Sequence, residues 1–268
     1  MKRATIACTL MSLCFMVSKQ LFASFASPYS DLLSALFILL CAALLLWRMP
    51  PKENLLCALW KKDTSSYLLL FFPFFVTVWA LGAATELVGG FFGLENEIDT
   101  AAPALTLYVV QVLLAAFSEE FVFRYVFLRY LAPWHKGFAL LASSTVFALM
   151  HVQILQLPYA FLAGAMLALL TLLSNSPLPA FLFHLFNNAV HLSAALYGDF
   201  ILLFTLLLCA TVSIVFICFR NCRKKVCEKC IAVFSSLKKE DKEMMRQGLS
   251  SPLALLSVLL FLLCLLSL

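Results

Sequence analysis

Charge is what this chain has least of. Asp, Glu, Lys and Arg make up 12% of its 268 residues, against 63% hydrophobic residues and a mean hydropathy of +0.99. A soluble domain carries about twice that share of charge, so a soluble globular fold is excluded. Also missing is the alternation of apolar and polar residues over about ten positions that a membrane barrel requires. The apolar runs are instead continuous over roughly 15–22 residues, the length of a membrane-spanning helix. The ten cysteines form no paired framework and lie mostly in or beside apolar runs, which excludes a secreted disulfide scaffold. No internal repeat argues for an inverted-repeat transporter, and no nucleic-acid partner is expected.

What remains is an all-α, polytopic transmembrane bundle. Candidate spans cover 5–26, 31–47, 65–87, 104–131, 138–155, 158–174, 179–196, 199–219 and 252–268, with most prolines at their edges, where helices break. Loop charge tests the layout, because Lys and Arg should gather on the cytoplasmic side. If the spans alternate, Lys2, Arg3, Arg48, Lys52, Lys61, Lys62, Arg129, Lys136 and the nine basic residues of 220–251 share one face. Asp31, Glu86, Glu95, Glu97, Asp99 and Asp199 share the other. The N-terminus and the 220–251 loop are therefore expected in the cytoplasm. Only Lys19 sits awkwardly, inside the first span.

The domain reading follows from this layout. Residues 1–30 are an N-terminal span or a cleaved signal peptide, since Lys2-Arg3, an apolar stretch and Ser24-Phe25-Ala26 also suit a leader and its cleavage site. Residues 31–219 form the transmembrane core, 220–251 a basic cytoplasmic loop, and 252–268 a hydrophobic segment short for a full crossing. Cys218, Cys222, Cys227 and Cys230 border the basic loop. They suit lipidation or a metal, but one C-x-x-C is weak zinc evidence, and a basic anchor on anionic lipid headgroups explains the loop. Small size and few loops point to a prokaryotic inner membrane.

The few ionisable residues inside the spans come in patterned groups. Span 104–131 carries Ser118-Glu119-Glu120, then Arg124; span 138–155 carries Phe147 and His151; span 179–196 carries His184, Asn187 and Asn188, then His191. A charge at the bilayer centre costs about 2.5–3.5 kcal/mol even on the lenient insertion scale, so such groups face the bundle or a hydrated cavity. Glu120 and Arg124 are spaced i,i+4, as are His184 and Asn188. At about 1.5 Å per residue, Glu119 lies about 15 Å from Arg129 and His151 about 20 Å from Phe138. On the same scale His184 and Asn188 lie about 10 and 16 Å from Pro177. In a slab about 30 Å thick these four share a middle layer.

A carboxylate beside an imidazole can deprotonate water, and a second imidazole with an amide can stabilise an oxyanion. That is chemistry for peptide hydrolysis. The same atoms match a catalytic zinc set of two His and one Glu, so zinc is the alternative cofactor. A non-catalytic protein, or a transporter relaying protons through buried Glu and His, is a further alternative. The chain has no H-E-x-x-H, no G-x-G-D and no G-x-S-G, so a protease here would use a glutamate as base. The residues alone leave Glu119 and Glu120 both open for that role.

Taken in order, Glu119-Glu120…Arg124, Phe147…His151 and His184…Asn188 resemble the three motifs of the CPBP family, the CAAX protease and bacteriocin-processing (Abi) proteins. The resemblance covers about residues 104–196. It implies a core of about eight helices and a glutamate-dependent intramembrane endopeptidase without a metal. It further implies Glu119 as the general base with His151, and His184 with Asn188 as oxyanion stabilisers. Glu120 and Arg124 orient their helix in that scheme, and Phe147 packs beneath His151. The expected partners are a peptide or membrane-protein substrate and membrane lipids, with the site opening toward the cytoplasmic leaflet. The chain's own end, Leu265-Leu266-Ser267-Leu268, is not a CAAX signal.

Overall fold

A computed structural model describes residues 2–22, 24–50, 64–93, 100–133, 135–151, 153 and 155–218, with isolated positions 224, 227, 228, 231 and 235. The described residues form eight helices and no strand. These are α1 (Lys2–Phe22), α2 (Tyr29–Arg48), α3 (Phe71–Phe91, entered through a 3₁₀ turn at Thr64–Leu70) and α4 (Ala104–Leu131). Then come α5 (Lys136–Leu149), α6 (Gln156–Ser174), α7 (Leu178–Tyr197) and α8 (Phe200–Cys218). They correspond to the first eight expected spans. The 252–268 segment, Cys222, Cys230 and most of the 220–251 loop lie outside the described residues; Cys218 and Cys227 are exposed free thiols.

Helix ends follow local chemistry. Pro28, Pro103 and Pro177 stand just before α2, α4 and α7, where a missing N–H is harmless. Asn175 closes α6 in the left-handed conformation, and Gly198 at φ 111° makes the sharp link from α7 to α8. Two boundaries differ from expectation. The span placed at 138–155 ends as a helix at Leu149, so His151 sits in the turn beyond it. And α4 is not uniform: π-helical stretches at Tyr108–Leu114 and Phe121–Phe127 flank the α-helical turn that holds Glu119 and Glu120. Such widened turns recur at functional sites.

Four of the helices, spanning Tyr29–Arg48, Tyr67–Phe91, Ala104–Leu131 and Gln156–Ser174, are long and apolar enough to cross a membrane. Large apolar side chains stay exposed along the outer faces, Leu36, Leu40 and Leu44 on α2 and Leu203, Phe204 and Leu207 on α8 among them. Water would not tolerate such a surface; lipid does. The interior holds a continuous apolar core to which α1 contributes Met11 and Phe15, α4 Phe123 and Phe127, α5 Phe147, and α7 Phe183. Lys19 is paired with Asp31 of α2 at 3.3 Å, which accounts for a cation inside the first span.

In lipid, helices associate by close packing rather than by shedding water, so small residues mark their contacts. The α5–α6 contact is of this kind: Ala139 and Ser144 on α5 and Ala160, Gly164 and Ala168 on α6 are all buried. A Cβ on Gly164 would stand 3.0 Å from the Phe147 ring and 3.3 Å from the Ser144 Cα. The absent side chain is what lets Phe147 lie against α6.

Candidate active site

The polar groups of α4, α5 and α7 meet in mid-bundle. Arg124 and Glu120 are almost fully buried and form an ion pair, Nε to Oε2, at 3.0 Å. Arg124 also donates to the Ser143 hydroxyl on α5 at 3.2 Å, and its guanidinium lies 5.0 Å from the Phe147 ring centre. The other Glu120 oxygen accepts from His184 Nδ1 at 2.9 Å. Glu120 is thus the centre of a buried Arg–Glu–His chain, which compensates charges that lipid-facing positions cannot hold.

Glu119 is placed differently. Its side chain is 20% exposed, against 2% for Glu120, and its Oε2 stands 3.9 Å from His184 Nε2. His184 therefore faces one glutamate with each ring nitrogen. His151 donates from Nδ1 to the Phe147 carbonyl at 2.9 Å, which leaves Nε2 as its free position. The Phe147 ring packs between the two imidazoles, 4.9 Å from His151 and 5.8 Å from His184. Glu119 interacts electrostatically with both histidines. Asn188 uses one amide N–H on the Gln111 carbonyl of α4, at 3.3 Å, so it and His184 have separate anchors rather than a shared one.

Beside this group lies a cavity of about 340 Å³. His151, His184 and Asn188 line it, and so do Asn187 and His191, together with Trp79, Gln111, Gln156 and Tyr159. Glu119 is not among the lining residues and reaches the cavity edge through His184. The lining comes from residues 79–86 of α3, the first third of α4, the end of α5, residues 155–167 entering and forming the first half of α6, 183–192 of α7 and the start of α8. Those segments adjoin one end of the bundle when consecutive helices alternate in direction. The cavity so occupies the half that holds the C-terminal ends of α3, α5 and α7 and the N-terminal ends of α4, α6 and α8.

Among the described residues no three His, Cys, Asp or Glu side chains gather as a metal-holding group. The sequence patterns singled out His184, Asn188 and the paired glutamates but passed over Tyr159, Trp79 and Gln111. Single tyrosine, tryptophan and glutamine residues on apolar helices carry no spacing signal; only packing brings them to the cavity.

Residues 101–190 match the family model for type II CAAX prenyl endopeptidases, Rce1-like. No curated protein and no solved structure matches the chain. The matched segment contains α4, α5, α6 and all but the last turns of α7, and with them every residue of the buried chain just described. Over this segment the integral membrane protein is thus similar to the Rce1-like type II CAAX prenyl endopeptidases, in agreement with the CPBP resemblance of its three motifs.

Proposed function

We propose that the chain is an intramembrane endopeptidase in which Glu119 and His151 activate a water and His184 with Asn188 stabilises the oxyanion. The observation that carries this is the unequal placement of the two glutamates around His184. Glu120 is sealed, paired with Arg124 and bonded to His184, so it holds the imidazole. Glu119 is the less buried carboxylate, 20% exposed and turned toward the other ring nitrogen. A water about 2.8 Å from both polar atoms fits beside a 3.9 Å gap.

The sequence of events follows. Glu119 takes a proton from water while the His151 Nε2 lone pair orients it. The oxygen attacks the scissile carbonyl, and the carbonyl electron pair moves onto oxygen. His184, as an imidazolium backed by Glu120, donates from Nε2, and the second N–H of Asn188, left free by the Gln111 contact, donates alongside. Collapse breaks the C–N bond, and the proton on Glu119 passes to the leaving amine. The test is turnover by Glu119→Ala, Glu119→Gln and His151→Ala; wild-type rates in all three would sink the mechanism.

Zinc is a second reading with one observation in its favour. Both imidazoles have Nδ1 held by an acceptor, with His184 Nε2 turned toward Glu119, the way ligating histidines are oriented. Metal content of protein purified without chelator, and turnover after chelation, separate the two; the glutamate mechanism expects no stoichiometric zinc and undiminished turnover.

The substrate is a peptide or a membrane-protein segment. With the basic loops on the cytoplasmic side of a prokaryotic inner membrane, alternating helices put the cavity in the opposite leaflet, because it lies toward the C-terminal ends of α3, α5 and α7. The resemblance implies a cytoplasmic opening instead, and the side is decided by the labelling experiment below. An outward opening favours peptides presented from outside over cytoplasmic prenylated CAAX proteins.

A further inference from the structure

The hydrolytic mechanism draws on α4, α5 and α7 and gives the α3 wall of the cavity no task. Trp79, Gly82, Ala83 and Glu86 line the cavity from that wall. Their i, i+3, i+4, i+7 spacing puts them on one helix face. Exposure rises along it. Trp79 is half-buried and stacks on His191 of α7, with ring centres 3.9 Å apart. Ala83 and Glu86 are exposed. Phe183 and Leu167, which also line the cavity, are each 1% exposed. The cavity is therefore open at the Glu86 end and closed at an apolar floor.

Charge singles Glu86 out. Among the described residues that line the cavity it is the one carboxylate, and none is Lys or Arg. His184 has its own counter-charge in Glu120 directly behind it, so Glu86 sets the sign at the mouth. A cleft with low-dielectric walls and fixed charge of one sign concentrates ligands of the other sign. Tyr159 fixes where that charge stands. Its ring packs on Gly82, where a Cβ would meet it at 3.2 Å, and Glu86, one turn along α3, acts on it electrostatically. The Tyr159 hydroxyl is hydrogen-bonded to Asn187 at 2.8 Å and to His191 at 3.1 Å. Glu86 is thus near the 187–191 turn of α7, which lies about 5–10 Å along the helix from His184 at 1.5 Å per residue. An extended peptide covers that distance in two or three residues, at about 3.3 Å each.

We propose that Glu86 is a specificity-determining residue whose carboxylate holds the cationic head of a Lys or Arg side chain within three residues of the cleaved bond. The substrate class is then a basic peptide. Such a side chain can lay its aliphatic stem over Ala83 and the Tyr159 ring while its charged tip stays at the exposed mouth. Glu86 has this task only if the cavity is that of the proposed endopeptidase.

The test uses the full-length protein in lipid nanodiscs. A degenerate peptide library, acetylated and amidated so that side chains alone carry charge, is digested with wild type and with Glu119→Gln. Lys or Arg is expected to be enriched at one position within three residues of the bonds that wild type cuts. The best peptide is resynthesised with norleucine, which keeps the lysine stem without its ammonium, and with glutamate at that position. Wild type is expected to lose about tenfold in kcat/KM on the norleucine peptide, and the difference should shrink as salt rises. Glu86→Gln is expected to cut the lysine and norleucine peptides equally well, and Glu86→Lys to prefer the glutamate peptide. A reversed order cannot come from misfolding. Equal rates on lysine and norleucine peptides in wild type overturn the assignment whether or not the variants fold. So does a lysine preference that persists in Glu86→Lys. Absence of any cleavage beyond the Glu119→Gln background overturns the endopeptidase reading itself, and the role of Glu86 with it.

Discussion

Glu119 and Glu120 are chemically the same residue in adjacent positions, and their surroundings differ. Glu120 faces two partners, Arg124 and His184, while Arg124 has Glu120 as its direct ion-pair partner. Removing one partner of a buried pair costs about 3–5 kcal/mol. Glu120→Gln should therefore destabilise the protein more than Arg124→Met does, because it leaves a buried guanidinium unpaired, whereas Arg124→Met leaves Glu120 with His184. Thermal unfolding in detergent checks this order, and the reverse ranking would show that His184 is no counter-charge. Glu119→Gln should behave differently. It should lower turnover by about 10²–10⁴-fold, the usual loss on removing a general base, with little change in melting. The three motifs were legible in the sequence as spaced polar residues in apolar runs. The unequal burial of the two glutamates was not, since one residue's shift along a helix carries no information about which neighbours shield it.

At the scale of elements, the site depends on how α5 meets α6. Gly164 admits the Phe147 ring, and that ring spaces His151 from His184. Gly164→Ala should push Phe147 off its place, costing about 1–3 kcal/mol by overpacking and lowering turnover as well. A melting curve together with an activity assay measures both, and a stable variant with full activity would show that the ring has room to yield. The first helix is the other case. Met11 and Phe15 of α1 belong to the common core, and the Phe15 ring lies 5.8 Å from Phe123 of α4. We propose that this packing keeps the first helix as a retained span rather than a cleaved leader. The intact mass of purified protein should include residues 1–26, and deleting residues 2–22 should lower the melting temperature. Helix positions were readable because apolar run length and proline placement are local properties. The π-helical turns around Glu119 and the early end of α5 were not, because each answers to contacts from other helices.

For the whole molecule, the question is the side from which substrate arrives. Ala83 and Glu86 line the cavity near the end of α3 and are exposed. In a cysteine-depleted chain, a membrane-impermeant maleimide added outside intact cells should label Ala83→Cys or Glu86→Cys, and preincubation with a cleaved peptide should slow it. The native Cys227 thiol, restored alone, should label only after the cells are opened. Labelling in the opposite order would invert the orientation and return the cavity to the cytoplasmic leaflet.

The amino-acid sequence by itself determined that this chain lives in lipid, where its helices run, and which few polar residues share a depth. Run length, loop charge and motif spacing are written in one dimension and follow from the cost of charge in hydrocarbon. Only the tertiary structure decided that Glu120 is sealed while Glu119 is less buried, that Tyr159 bonds to Asn187 and His191, and that the cavity lies in one half of the bundle. Burial and hydrogen-bond partners are set by side chains far apart in sequence, and no local pattern encodes which of them meet.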